Sequence, residues 1–238
     1  MAIANMGFTG TIGDLIYYKV GDKTYVRAKP SRVRQTKSTK ASAGEFGRAS
    51  SLGAAIRKVL GKVIPDPADN KMQTRLVSML FQWLSSGKNS GDHLKNLSCF
   101  RSFSFDGTSR KTVRDRWKIA LQIRVSAPGM IELIIPAFRP LESIIAPSHT
   151  VKILCRIAVG TCDMSNNRGT GSFYTELQFQ YNNTLVEEQR IAMKLPAAKG
   201  SLVVTGISLL YILSKNGDEH YNSNKAYLPA GIVHALYI

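Results

Sequence analysis

The chain has 238 residues, 44% of them hydrophobic and 20% charged, a globular composition that excludes wholesale disorder. It carries 32 Lys and Arg against 16 Asp and Glu, a net charge of +16, with excesses of +8 over residues 1–60, +6 over 61–120 and only +2 over 121–238. Such a field points the first half toward anionic partners, and no apolar run approaches the ~20 residues that span a bilayer, so no transmembrane segment is expected.

Residues 7–13 read GFTGTIG, in which Gly7, Gly10 and Gly13 recur every third residue. The Lys-Ser/Thr of a phosphate loop is missing, as is the strand-to-helix setting of a dinucleotide fingerprint, so the glycines read as turn geometry. DLIYYKV and KTYVRAKP follow, separated by Gly21-Asp22. Two β-prone runs around a two-residue Gly-Asp turn predict a β-hairpin. Its second strand alternates Thr24, Val26 and Ala28 with Tyr25, Arg27 and Lys29, giving one plain face and one basic, aromatic face. A lone two-stranded hairpin is marginal in water, so this one is expected to pack on something else, including another chain. Residues 29–40 then carry Lys29, Arg32, Arg34, Lys37 and Lys40 with no acid and no hydrophobic period, the pattern of an extended basic arm.

Ser42 and Glu45 have the spacing of a capping box, which predicts a helix start. Phe46, Leu52, Ile56, Val59, Leu60 and Val63 follow on one stripe, with Arg48, Lys58 and Lys62 on another side. Pro65 and Pro67 stop that helix, and Asp69 or Asn70 caps the next, whose stripe is Met72, Leu76, Met79, Leu80, Trp83 and Leu84. The pair is expected to form an antiparallel helical hairpin.

After SSGKNSGD, residues 85–92, the hydrophobic period falls from 3.6 to 2. LSCFRSFSF, KIALQIRVS, MIELIIP, VKILCRIAVG, FYTELQFQY, RIAMKL, SLVVTGISLLYILS and IVHALYI all read as strands. Helices gathered at the front, instead of alternating with strands, predict an α+β fold: an N-terminal β-hairpin and a helical hairpin, then an antiparallel β-sandwich. The expected parts are residues 1–40, 41–90 and 91–238.

GDLIYYKVGDKTYVRAKP, VRQTKSTKASAGEFGRAS, IPDP, MQTRL and a closing WL, all within residues 13–84, resemble functionally uncharacterised Bacteroidota proteins of the domain-of-unknown-function type. In these a Gly-rich start, a YYK/YVR hairpin and an SA-FG-AS helix precede a β-rich half. The resemblance implies bacterial origin and the domain layout, and it carries no activity and no site residues.

Chemistry-bearing motifs are sparse. His93, His149, His220 and His234 are scattered without metal-ligand spacing, and the three cysteines, Cys99, Cys155 and Cys162, form no CxxC pair. They read as small buried side chains in a reducing, cytoplasmic setting. The opening lacks a basic segment followed by an apolar one, so no secretion signal is expected. No catalytic signature and no cofactor fingerprint is found, which leads to the expectation of a non-enzymatic assembly protein, a homo-oligomer or larger array. Its contacts to a neighbouring subunit or a polyanion are expected from Tyr17, Tyr18, Tyr25, Arg27, Lys29, Arg32, Arg34, Lys37 and Lys40. The alternative is backbone-directed, sequence-nonspecific binding of DNA or RNA by the same basic half, with tyrosines stacking on bases.

Overall fold

A computed structural model describes residues 2–3, 9–30, 36–66, 69–86, 96–107, 112–127, 129–224 and 227–238. The chain divides into two compact units, Met1–Ser42 and Ala43–Ile238.

The first unit holds β1 (Ala2–Ile3), β2 (Gly10–Ile12), β3 (Leu15–Val20) and β4 (Lys23–Ala28). They form one antiparallel sheet in the order β1-β4-β3-β2. The expected hairpin is its centre: Val20 pairs with Lys23 across Gly21-Asp22, and Gly21 sits at φ +61°. A left-handed first loop residue matches the turn to the twist of the strands, and glycine takes that conformation without steric cost.

Helix α1 (Lys37–Val59) starts five residues before the predicted capping box. Its first turn is capped by Thr36, whose Oγ1 accepts from the Thr39 N–H at 3.1 Å. Ser42 and Glu45 are already inside the helix, and Glu45 instead accepts a hydrogen bond from Ser85 Oγ. Phe46, placed on the buried stripe by its spacing, is 56% exposed and meets Phe81 edge-on. The remaining stripe residues, Leu52, Ile56, Val59, Leu60 and Val63, are buried. A short 3-10 turn over Gly61–Val63 leads to α2 (Met72–Ser86). Asp69 closes its start, with the carboxylate accepting from the Lys71 N–H and the backbone carbonyl from the Met72 N–H.

LSCFRSFSF is not a strand. It forms α3 (Ser98–Arg101) and a turn, with a single β-bridge from Ser104 to Gly231. Leu97, Phe100 and Phe103 are buried at intervals of three, a spacing that suits turns of helix and hides behind the Phe-Ser alternation. Next come α4 (Val113–Arg116), β5 (Gln122–Ala127), β6 (Met130–Ile135), α5 (Pro140–Ser143), β7 (Thr150–Asp163), β8 (Arg168–Gln180), β9 (Gln189–Lys194), β10 (Ser201–Lys215), β11 (Asp218–Tyr221) and β12 (Ala230–Tyr237). The fold is α+β with antiparallel sheets, as expected.

A five-stranded sheet runs β11-β10-β7-β8, with β12 also on β10, and a three-stranded sheet runs β5-β6-β9. Alternate side chains of the large sheet serve two cores. Ile153, Cys155, Ile157, Val203, Ile207 and Tyr211 face Ile123, Ile131, Leu133 and Met193 of the small sheet. Ala158, Cys162, Leu202, Val204 and Ile232 pack instead with the stripes of α1 and α2. The helical hairpin and the strands thus share one core. The expected break near residues 87–92 lies outside the described residues.

Candidate interface on the N-terminal sheet

Direct partners in an antiparallel ladder share a face, so the register of β3 and β4 sorts the candidate residues. Tyr18 pairs with Tyr25, Ile16 with Arg27, and Tyr17 with Val26. Tyr18, Tyr25 and Arg27 therefore lie on one face, and Tyr17 lies on the other. The Tyr18 and Tyr25 rings stack with centroids 5.9 Å apart and planes at 25°, and the Arg27 guanidinium sits 5.6 Å from the Tyr18 centroid. This is the cation–π arrangement that holds an arginine head over an aromatic platform.

The other candidates are dispersed. Lys29 follows β4, with its backbone N–H donating to the Asp14 carbonyl. Lys37 and Lys40 belong to the first turn of α1, not to an extended arm, and that turn contains no acid. Their charges have the same sign as the partial positive charge of a helix N-terminus. Arg32 and Arg34 lie outside the described residues.

Among the described residues of the first unit only Thr24 is buried, and no hydrophobic side chain is. Ile12, Leu15 and Val20 are 57%, 42% and 58% exposed. Ile12 pairs with Leu15, which puts two uncovered aliphatic side chains together on the Tyr17 face. A sheet of this size gains its stability from covering a face, and among its described residues Ile16, Tyr17, Tyr18, Tyr25 and Val26 are only partly buried. The described residues of this unit carry Lys19, Lys23, Arg27, Lys29, Lys37 and Lys40 against only two acids, Asp14 and Asp22.

The second unit contributes groups that sequence reasoning did not gather. Arg101, Arg114 and Lys118 line one cavity with Trp117 and His234; the cation-rich run SRKTVRDRWK at 109–118 is the only sequence signal for it. A cleft of about 870 Å³ is lined by Arg48, Lys199 and Asp163. Asp163 is tied into its own turn by Ser165 and Asn166, and those hydrogen bonds hold its carboxyl below the usual range. All three cysteines are free thiols; burial pushes Cys155 up strongly and Cys162 up to about 12, which suppresses the reactive thiolate.

No helix among the described residues is long and apolar enough to cross a membrane. No protein-family model matches the chain, and no curated protein does. Among solved structures the chain is similar to a crystal structure of a protein from Archaeoglobus fulgidus, at 7% identity and a TM-score of 0.23, covering 50% of this chain and 94% of that one. A likeness this slight informs neither fold nor function.

Proposed function

We propose that this chain is a non-enzymatic, cytoplasmic assembly protein whose N-terminal sheet docks on the body of a neighbouring copy. The observation that carries this reading is the sheet without a core: four paired strands, exposed Ile12, Leu15 and Val20, and no buried hydrophobic side chain among the described residues. Charge selects the partner surface. Sheet against sheet would set like cations against each other, whereas residues 121–238 carry only +2 and expose Glu187, Glu188, Asp218 and Glu219. The favoured contact is therefore heterologous, a basic sheet on a neighbour's near-neutral body, a geometry that closes into rings or extends into filaments. Reduced cysteines accord with the cytoplasm, and kinship with the Bacteroidota families belongs to the same proposal.

Light scattering on the full chain and on a variant lacking residues 1–42 tests it. The full chain is expected to form particles larger than a monomer and the shortened chain to remain monomeric. A full chain that stays monomeric at every concentration tried would overturn the proposal.

One observation favours a second reading. The Tyr18–Tyr25 stack beside Arg27 is a platform on which single-stranded bases stack while cations neutralise phosphates. Fluorescence anisotropy of a labelled single-stranded oligonucleotide separates the readings. Binding at low salt that is lost in Tyr18→Ala/Tyr25→Ala, by a chain that remains monomeric, favours nucleic acid over assembly.

A further inference from the structure

The geometry points to a phosphate-monoester site in the second unit, independent of the N-terminal sheet. A cavity of about 490 Å³ opens where the end of α3, the start of α4, residues 117–121 and β12 meet. Every charged residue lining it is a cation: Arg101, Arg114 and Lys118. None of the three has a carboxylate partner among the described residues. The acid nearest in sequence, Asp115, is committed elsewhere, accepting from the Thr112 N–H at 2.7 Å and from its hydroxyl at 2.9 Å in the cap of α4. Three unneutralised cations around one hollow repel each other unless an anion sits among them.

Two polar groups of the same lining lack partners. Trp117 is only 4% exposed, yet its indole Nε1 makes no hydrogen bond, and neither does His234 Nδ1. A buried donor left unpaired carries its full desolvation penalty, which a ligand oxygen removes. The backbone gives a local reason for this arrangement. The ladder between β10 and β12 slips between Thr205 and Gly206, so that Thr205 pairs with His234, Gly206 pairs with Ile232, and Val233 is the extra residue. A bulge of this kind re-aims side chains and recurs beside functional sites. Both Val233 and His234 line the cavity, and the Oγ1 of the fully buried Thr205, opposite His234, is also unpartnered.

The ligand chemistry follows from the walls. Arg101, Arg114 and Lys118 suit a doubly charged oxyanion, with Arg offering the forked donors that match phosphate oxygens. The unpartnered indole N–H of Trp117 is a further donor in the same lining, and His234 adds one when its proton is on Nδ1. Ile119, Leu121 and Val233 form an apolar side suited to the organic part of an ester, and the volume is within the range of small-molecule sites.

The test is the indole N–H resonance of Trp117 in the full chain, titrated separately with inorganic phosphate, glycerol phosphate and a nucleoside monophosphate. The chain has two tryptophans; Trp117→Phe assigns the peak. Trp83, whose Nε1 already donates to the Asn96 carbonyl, reports that the fold is intact. A saturable shift of Trp117 alone is expected, with His234 titrating at a higher pH when the site is filled. Arg101→Ala/Arg114→Ala is expected to weaken binding at least ~10-fold, as loss of one charge-assisted hydrogen bond already implies. Tighter binding of either ester than of phosphate identifies a site that reads the organic group, and equal binding identifies one that reads the oxyanion alone. No saturable Trp117 shift with any probe, or a shift unchanged in the double variant with the Trp83 peak in place, would overturn the proposal.

Discussion

A Cβ built on Gly160 would lie 2.3 Å from Val59 Cγ2, and one on Gly169 would lie 2.8 Å from Val59 Cγ1. Helix α1 therefore rests directly on the backbone of β7 and β8 at one valine. Gly160→Ala is expected to lower stability by about 1–3 kcal/mol through overpacking, read as a drop in the urea midpoint. Val59→Ala in the same chain should recover part of that loss, the non-additivity of two touching sites. Asp69 makes the acid-side prediction. The Lys71 N–H, then the Arg75 guanidinium at 2.8 Å, hold its carboxyl below the usual value of 3.8. The folded state thus keeps the proton off longer than the unfolded chain, so this stabilisation is present above pH 3.8 and is lost as pH falls through the lowered value. His234 behaves alike at higher pH, since burial and Arg101 lower it from 6.5, so stability also declines on acidification below about 6.5. Urea midpoints against pH should show both limbs; Asp69→Asn should flatten the lower and His234→Gln the upper. The capping role of Asp69 was legible in IPDPAD because it is local. Its hydrogen bond from the Gly107 N–H, 38 residues away, had no local trace, and neither did the contact of Gly160 with Val59.

Elements whose pattern repeats over many residues were the legible ones. In β7, Ile153, Cys155, Ile157 and Val159 are buried on a single face as the period of 2 requires. The opposite face, with Ala158, Gly160 and Cys162, is also buried, and its small residues disguised the helices lying over it. The start of α1 was misplaced because a Ser-x-x-Glu pattern inside a helix looks the same as one at its end. Thr36 is the residue to test: Thr36→Ala should cost about 1 kcal/mol and speed amide exchange at Thr39, while Ser42→Ala leaves that amide unchanged. Of the candidate interface, the hairpin and its basic, aromatic face were readable from Tyr25 and Arg27. The separation of Tyr17 from Tyr18 followed from register, which the alternation of β3 already contained. The cavity beside Trp117 was not readable, because Arg101, Arg114 and His234 come from three segments joined only by the packing of α3 and α4 near β12.

For the molecule as a whole, charge and burial are segregated in the same way. Among the described residues the first unit has cations and no fully buried apolar side chain, and the second has two full cores. Assembly driven by a basic sheet on a less charged body should weaken with salt, since the screening length shrinks from about 10 Å at 0.1 M to about 3 Å at 1 M. Particle size measured across that range is expected to fall; a size that rises or holds would assign the contact to apolar surface alone. Removing residues 1–42 should lower the urea transition of the remainder by no more than the loss of the Thr36 cap, about 1 kcal/mol, because among the described residues none of the buried hydrophobic side chains belongs to them.

Strand β10 is bonded along one side to β7 and along the other to β12 and then β11. Its successive side chains enter opposite cores: Leu202 and Val204 one, Val203 and Ile207 the other. Neither hydrophobic layer can therefore melt while its counterpart survives. Calorimetry of the second unit should give a single heat-absorption peak, and the amide hydrogens from Val203 to Leu209 should be the slowest to trade for deuterium, released only when the entire body comes apart.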